Sequence, residues 1–153
     1  MQHKPQKRHK ALQPLSRQHH QGLLLSWKIR SGFNKNIDPK RIKVYVDWFF
    51  ETHLIPHFKM EEDHIFTILD TEHELIKRAL AEHRRLNRLF NKNEDETKVL
   101  SKIEEELEQH IRFEERVLFP EIQKIATEEQ LLQIEKINQP EAFEDKLDDV
   151  FWK

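Results

Sequence analysis

Hydrophobic residues recur at helical spacing along most of the chain. Leu23, Leu24 and Trp27 form one apolar stripe, and Val44 and Trp48 begin another. Residues three and four positions apart share one face of a helix, so such stripes are typical of helices that pack on a core. The alternation typical of strands does not occur. The pattern therefore predicts an all-α fold, with four main helices in an up-down-up-down bundle.

Capping and helix-breaking residues predict where these helices begin and end. Gly32 should end the first helix, and Thr71-x-x-Glu74 resembles a capping box that opens the third. Pro56 should bend the second helix, and Pro120 should bend or break the fourth. The predicted ranges are approximately 16–31, 39–70, 71–90 and 97–125.

The rest of the chain divides into a tail and an extension. Residues 1–12 are basic and predict a flexible tail, and residues 13–126 form the predicted bundle. Residues 127–153 predict a C-terminal helical extension, with a short helix over 127–137 and a further segment opened by Pro140. Its last apolar residues, Val150-Phe151-Trp152, should dock on the bundle or on a second subunit.

Composition narrows the classes of function. With 26 basic and 28 acidic residues the net charge is −2. The chain therefore lacks the positive electrostatic field that attracts nucleic acid. Cysteine is absent, which excludes disulfides, thiolate ligands and cysteine nucleophiles. No apolar run approaches the roughly 18 residues of a membrane span, and no apolar segment follows the basic N-terminus. The sequence therefore predicts a single cytoplasmic domain without membrane or nucleic-acid partners.

A ten-residue pattern occurs twice, in residues 57–66 and 110–119. Each copy begins with His, has Glu four and five positions later, and ends in an aliphatic residue followed by Phe. Positions four apart lie on one helix face, so each copy directs an imidazole and a carboxylate to the same place. The second Glu of each copy, Glu62 or Glu115, lies off that face and is expected to be solvated or paired with arginine, with a role in supporting a metal ligand as the alternative.

A single histidine precedes each copy on the neighbouring helix. His83 precedes the second copy, and His20 precedes the first. We favour His20 over His19 because it shares a stripe with Leu24 and Trp27, although either can serve. The candidate metal ligands are thus His20, His57, Glu61, His83, His110 and Glu114.

Four imidazoles and two carboxylates favour iron or manganese, while the absence of thiolates disfavours a structural zinc site. Each glutamate can bridge two ions, and one histidine pair can complete each ion. Positions then stay open for a bridging group and an exogenous ligand.

The arrangement resembles the hemerythrin-like, or HHE cation-binding, domain family over residues 14–125. The matching stretches are Leu15-Ser16-Arg17-Gln18-His19-His20, His57-Phe58-x-x-Glu61-Glu62, Glu82-His83-Arg84-x-Leu86 and His110-x-x-x-Glu114-Glu115-x-x-Leu118-Phe119-Pro120. The resemblance implies a four-helix bundle with a non-haem di-iron centre, held by the six candidate ligands, that binds or senses oxygen, nitric oxide or iron.

The chain departs from oxygen-carrying hemerythrins at two places. Its third helix has Ala79 and Asn87 where a second histidine would accompany His83, and its fourth helix has His-x-x-x-Glu where the carriers have a longer spacing to Asp. Both differences make it similar to di-iron proteins associated with repair of iron–sulfur clusters. Those usually carry a cysteine-bearing N-terminal domain, and the 153 residues contain no cysteine.

These patterns favour a metal- and ligand-binding protein over an enzyme. The expected cofactor is a pair of iron ions with an oxo or hydroxo bridge, for which manganese or zinc can substitute. The expected partner is a small diatomic ligand (O2 or NO) or iron itself, bound by a sensor, buffer or store that is a monomer or homodimer. The alternatives are a di-iron oxidoreductase that reduces NO or peroxide or has a cluster-repair-like activity, and a helical interaction module with structural histidines.

Overall fold

The computed structural model describes residues 7–139 and 141–153, and all regular structure in these residues is helical. None of the helices within that part of the chain is long and apolar enough to cross a bilayer. The helices are α1 Gln13–Asn34, α2 Pro39–Phe49, α3 Ile55–Met60, α4 Glu74–Phe90, α5 Glu96–Phe113, α6 Phe119–Ile125 and α7 Glu128–Ile137.

Several of these helices join end to end without a loop. The π-helical segments Phe50–Leu54 and Glu61–Ile65 and the 3₁₀ segment Phe66–Ile68 extend α2 and α3 into a second rod, residues 39–68. A third π-helical segment, Glu114–Leu118, joins α5 to α6 in a fourth rod, residues 96–125. Helices α1 and α4 are the first and third rods. The predicted all-α bundle is confirmed.

Neither proline inside the rods ends its helix. A π turn precedes each proline. Before Pro56 the N–H of Ile55 donates to the carbonyl of Phe50, and before Pro120 the N–H of Phe119 donates to the carbonyl of Glu114. Proline has no N–H donor and crowds the preceding turn, and a wider turn relieves this conflict. The chain therefore continues through both positions.

The first helix was predicted to end at Gly32, but it continues to Asn34. A Cβ at position 32 would lie 2.7 Å from Cδ1 of Ile42 and 3.1 Å from Cδ1 of Phe151. The missing side chain therefore admits two core residues against the α1 backbone. Gly32 serves packing between elements, and its neighbours hold it in a helical conformation.

The predicted capping box at the third helix is wrong. The N-cap is His73, whose Nδ1 accepts a 3.1 Å hydrogen bond from the N–H of Leu75. A reciprocal capping box is present instead at α7, between Thr127 and Gln130. Thr71-x-x-Glu74 and Thr127-x-x-Gln130 both match the sequence signature of a capping box. The spacing alone therefore does not show which segment forms one.

Two apolar clusters fill the bundle, and the chain passes from one to the other on each rod. On α1 the change occurs between Leu15 and Leu25, and on α4 between Ala79 and Leu86. The one buried residue between Ala79 and Leu86 is polar, His83. The centre of the bundle is therefore a polar layer between two apolar clusters.

Residues ahead of α1 already pack on the bundle. Ala11 and Leu12 are fully buried, and Nη2 of Arg8 donates a 2.7 Å hydrogen bond to the carbonyl of Glu115. This part of the predicted tail therefore has defined contacts. Residues 1–6 of that tail lie outside the described part of the chain.

The C-terminal residues dock on this same chain. Phe151 and Trp152 are buried, and both contact the ring of Tyr45 edge-on, at centroid distances of 5.8 and 5.0 Å. The hydroxyl of Ser31 donates a 3.0 Å hydrogen bond to the carbonyl of Trp152. The short helix predicted over 127–137 is present as α7, and residues 141–153 beyond it contain no helix; Pro140 lies outside the described residues.

A buried lysine anchors this C-terminal segment. Nζ of Lys28 donates 2.7 Å hydrogen bonds to Tyr45 and Asp145 and lies 4.1 Å from the centroid of a Trp152 ring. Burial alone would raise the pKa of Asp145, but hydrogen bonds from Lys28 and Tyr45 hold that pKa below its ordinary value. The carboxylate of Asp145 is thus the counter-charge for a buried ammonium group.

Replacing Asp145 with Asn should lower the free energy of unfolding by about 1–3 kcal/mol, since Lys28 keeps its charge but loses its anion. A depressed pKa stabilises the fold above the carboxyl's unfolded pKa, and this contribution is lost as pH falls through the folded pKa. The difference from the parent in urea unfolding should thus be constant near neutral pH and shrink below about pH 4. Asp149→Asn, which breaks an exposed pair with Arg41, is the control and should have a smaller effect. An equal loss in both variants would contradict the anchoring role.

Candidate metal centre

Four imidazoles and two carboxylates meet in the polar layer of the bundle. They come from all four rods and have exposed fractions between 0% and 5%. The residues are His19, His57, Glu61, His83, His110 and Glu114. The structure therefore brings together five of the six residues selected from the sequence, with His19 in the place of His20.

The six side chains form two groups that share both carboxylates. One group contains His19 and His57, and the other contains His83 and His110; both groups include the same two glutamates. Within each group, one candidate ligand atom from every residue lies within 4.8 Å of the others. Each group could hold a metal ion, and both groups would draw on the same two carboxylates.

The two copies of the sequence pattern have matching geometry. Nε2 of His57 lies 3.3 Å from Oε1 of Glu61, and Nε2 of His110 lies 3.3 Å from Oε2 of Glu114. Both pairs are four residues apart on one rod, and a π turn begins at each glutamate. Such π turns are frequent at functional sites, because they shift side chains relative to a regular helix.

The single histidines of the first and third rods complete the centre from the other side. Nε2 of His19 lies 2.8 Å from Oε1 of Glu114, and Nε2 of His83 lies 3.2 Å from Oε1 of Glu61. The histidine of the first rod thus approaches the glutamate of the fourth rod, and the histidine of the third rod approaches the glutamate of the second. The centre therefore depends on the packing of all four rods and forms only in the folded protein.

Every imidazole is held from behind through its other nitrogen. In each case Nδ1 hydrogen-bonds to a side-chain oxygen, of a carboxylate or, at His57, of the Gln18 amide. These oxygens accept, so Nδ1 carries a proton, and Nε2 points inward and can bind a metal once any proton on it is displaced. This is the arrangement in which histidine binds metals, with an outer acceptor fixing tautomer and ring orientation. The pairs are His19–Glu115 and His57–Gln18 at 2.6 Å, and His83–Glu62 and His110–Glu82 at 2.7 Å.

Glu62 and Glu115 match the alternative interpretation, support of a metal ligand, better than the favoured one, solvation or pairing with arginine. Glu115 does lie 3.6 Å from Arg8, but both carboxylates also accept a hydrogen bond from an imidazole of another rod. Gln18 and Glu82 were not assigned a role from the sequence. Each directly precedes a central histidine, and this offset, repeated in both halves of the chain, was the available signal.

The expectation that His20 faces the centre is wrong, because α1 presents His19 there and leaves His20 exposed. The buried face of α1 includes Leu15, His19, Gly22 and Ser26, which recur every three or four residues. Two of these residues are small, so the face does not look hydrophobic in the sequence.

The inward-facing atoms lack hydrogen-bond partners. Nε2 of all four histidines and both oxygens of Glu61 and Glu114 are buried, and none makes a hydrogen bond of acceptable geometry within the described residues. Burying unpaired carboxylates is costly, whereas coordination to a cation satisfies them and the imidazole lone pairs together. The donor set therefore fits metal cations, and with oxygen and nitrogen donors it fits iron, manganese or zinc.

The charges within the centre act on one another strongly. Burial alone would lower the pKa of His19, but the surrounding carboxylates, Glu114 foremost, raise it well above its ordinary value. The pKa of His83 is raised by the same balance. Burial would raise the pKa of Glu114, yet the nearby imidazoles hold it well below its usual range. The cluster therefore needs positive charge, as protons or as metal ions, and metal binding displaces protons.

Substitution of the neighbouring histidines on α1 tests which one is a ligand. His19→Ala should weaken binding of at least one ion by more than about 100-fold, above the 10- to 100-fold typical of removing an outer hydrogen-bond partner. His20→Ala is the matched control and should keep the parent's metal content after gel filtration. The reverse pattern would restore His20 as the ligand.

Aromatic rings enclose the imidazoles. Phe58 stacks on His83 at a centroid distance of 4.0 Å, and Phe66 lies 5.3 Å from the same ring. Phe119, the counterpart of Phe66 in the second copy, stacks on His19 at 5.2 Å. These rings fix the imidazole planes and surround the centre with apolar surface.

A cavity of about 570 Å³ lies beside the centre, and Gln18 and His57 form part of its wall. His20 and His53 also line it, together with Phe143 from the C-terminal segment. The sequence did not predict this cavity, because its walls come from segments that are distant along the chain. It gives the centre a neighbouring space large enough for a small molecule.

Comparison with known proteins gives one family match. The model described as the hemerythrin HHE cation binding domain matches residues 7–122 and, in a second overlapping alignment, residues 64–139. No curated protein and no solved structure matches the chain significantly.

Proposed function

Because this chain belongs to the hemerythrin family, with its HHE cation-binding domain, we propose that the buried centre binds two iron ions. Through them it binds a small diatomic ligand, O2 or NO, or handles iron itself, as a sensor, buffer or store. One observation carries this proposal: two ligand groups share both glutamates, and their inward atoms lack other partners. Two carboxylates that are common to both groups could serve two cations, and a single-metal site would not need this sharing.

Each ion would have two imidazoles of its own and share both carboxylates with the other ion. The proposed assignment is His19 and His57 to one ion, His83 and His110 to the other, and Glu61 and Glu114 to both. Iron held by these residues would supply a redox-active Lewis acid to which a small exogenous ligand could bind.

The chain's own residues would orient the ligands and exclude water. Outer acceptors such as Glu82 and Gln18 hold each Nδ1–H, so that the lone pair of Nε2 points inward. Phe58 and Phe119 cover two of the imidazole faces and limit access of bulk water. A buried, preorganised centre favours binding of small apolar gases over hydrolytic chemistry.

Anaerobic loading with Fe²⁺, followed by exposure to O2 or NO, tests this proposal. We expect two iron ions per chain and a near-ultraviolet absorption change that saturates at a fixed ratio of gas to iron pairs. The change should reverse when the gas is removed or the protein is reduced. Iron bound without any response to either gas would leave storage or handling of iron as the function and contradict gas binding.

The cavity beside the centre favours a second candidate, a di-iron oxidoreductase that reduces NO or peroxide or has a cluster-repair-like activity. Arg17, His20 and His53 line this cavity and offer polar groups to a substrate or redox partner. Steady-state consumption of NO or peroxide with an added reductant separates the two functions. Consumption well beyond the amount of protein would establish an enzyme, and a single stoichiometric uptake would establish a binding protein.

The proposed setting follows the sequence analysis. We propose a cytoplasmic protein that acts as a monomer or homodimer, with manganese or zinc as substitutes for iron. Metal analysis of the purified protein and its mass in solution test these points.

A further inference from the structure

The outer hydrogen-bond partners of the imidazoles follow the internal repeat of the chain, with one chemical exception. Glu62 and Glu115 occupy equivalent positions, and each holds a single histidine of the first or third rod. Gln18 and Glu82 are also equivalent, since each directly precedes a single histidine and holds the histidine of a repeat copy. Three of the four partners are therefore carboxylates and the fourth is a neutral amide.

We propose that Gln18 makes the two ion positions unequal, so that the pair His83 and His110 binds a divalent cation more tightly than the pair His19 and His57. This inference rests on the proposed function, because it assumes that both groups bind cations. Gln18 acts through His57 and is a positioning residue that sets the affinity of one position.

The physical reason is the charge on the outer acceptor. A carboxylate that accepts from Nδ1–H draws the proton toward itself, raises the basicity of Nε2 and strengthens its bond to a cation. A neutral amide fixes the same tautomer without adding negative charge. The position of His83 and His110 has two such carboxylates behind it, whereas the other position has only Glu115.

The two positions are similar in ring spacing and in the glutamates that they share, although Nε2 of His19 lies 2.8 Å from Glu114 and Nε2 of His83 lies 3.2 Å from Glu61. The Nδ1–oxygen distance is 2.6 Å to Gln18 and 2.7 Å to Glu82, and both inner glutamates are common to the two groups. The ring centroids of His19 and His57 are 4.8 Å apart, and those of the other pair are 4.9 Å apart. Arg78 lies 2.9 Å from the second oxygen of Glu82, but its side chain is 55% exposed, and water screens its charge.

Exchange of the two isosteric side chains tests this inference in the full chain with Co²⁺ as the probe. Both stepwise binding constants are measured by competition with a chelator of known affinity. Gln18→Glu should raise the weaker constant by about 10- to 100-fold and leave the tighter one nearly unchanged. Glu82→Gln should lower the tighter constant by a similar factor. The double variant, Gln18→Glu with Glu82→Gln, should restore the parent's ratio between the two constants.

Repulsion between the two ions separates the constants in every variant, so only the changes between variants are diagnostic. If Gln18 had a purely structural role, both single variants would weaken binding, and this result would overturn the inference. Two ions bound with an unchanged ratio in all variants would also overturn it while leaving the proposed function intact. Failure of the parent chain to bind Co²⁺ or iron would overturn both. If one single variant fails to fold, as circular dichroism would reveal, the other decides the question.

Discussion

Replacing Glu114 with Ala should reduce the metal content from two ions per chain to nearly none. Glu114 belongs to both ligand groups, is fully buried, and lies within 3.7 Å of Nε2 atoms from three histidines. Its removal takes one donor from each ion, and one carboxylate then remains to balance the positive charge of both ions. The affinity for both ions should fall by more than about 100-fold, which exceeds the effect of losing an outer partner. Elemental analysis after gel filtration measures the result.

Two control variants give this experiment its resolution. His110→Ala alters only one group and should leave about one ion per chain, because the other group keeps its four donors. Glu105→Ala removes an exposed glutamate from the same helix and should leave two ions. Equal losses from the variants at Glu114 and His110 would contradict the shared role of Glu114. An unchanged metal content in both would reject the centre.

Removal of metal should destabilise the protein strongly. A ligand that binds only the native state adds about 4 kcal/mol when its free concentration is 1,000 times its Kd, and two ions act together. For a domain of this size, 1 kcal/mol corresponds to roughly 2–4 °C in Tm, so the fully loaded protein should melt at least about 10 °C above the metal-free protein. The metal-free protein is less stable because it must bury carboxylate oxygens and imidazole Nε2 atoms that have no hydrogen-bond partner among the described residues. Thermal unfolding followed by circular dichroism, with and without chelator, measures the difference.

The variant Glu114→Ala provides the control for this stabilisation. Its melting temperature should respond little to added metal, because both cation positions have lost a ligand. A shift of the same size in the variant and the parent would assign the stabilisation to metal bound elsewhere. Such a result would contradict the proposed centre as the source of the effect.

The sequence predicted the parts of the centre that depend on one helix alone. His57 and Glu61 are four residues apart, as are His110 and Glu114, so their convergence follows from helical geometry whatever the rest of the fold does. The repetition of this spacing in two copies made chance unlikely as an explanation. His83 was selected because it precedes the second copy on the neighbouring helix.

The error at His20 has a specific physical cause. The hydrophobic stripe of α1 was assigned from Leu24 and Trp27, but Trp27 is 47% exposed in the structure. The face that packs on the bundle contains Gly22, and a Cβ there would lie 2.6 Å from Cδ1 of Ile111. A helix that packs this closely needs small residues on its buried face, and a search for large apolar residues misses that face.

The outer hydrogen bonds could not be predicted from local spacing. Glu62 and Glu82 act on histidines of neighbouring rods, so their roles depend on how the rods are placed against each other. The π turns that begin at Glu61 and Glu114 also change the direction of the residues that follow. Within a single helix neither feature can be assigned, and the only sequence signal was the repeated position of Gln18 and Glu82 directly ahead of a histidine.

The number of iron ions bound by each chain tests the central claim most directly. After anaerobic reconstitution with excess Fe²⁺ and gel filtration, elemental analysis should give two iron ions per chain in the parent, with both lost in the variant Glu114→Ala. A parent that retains no iron, or the same iron in parent and variant, would contradict a dinuclear centre built on the shared glutamates.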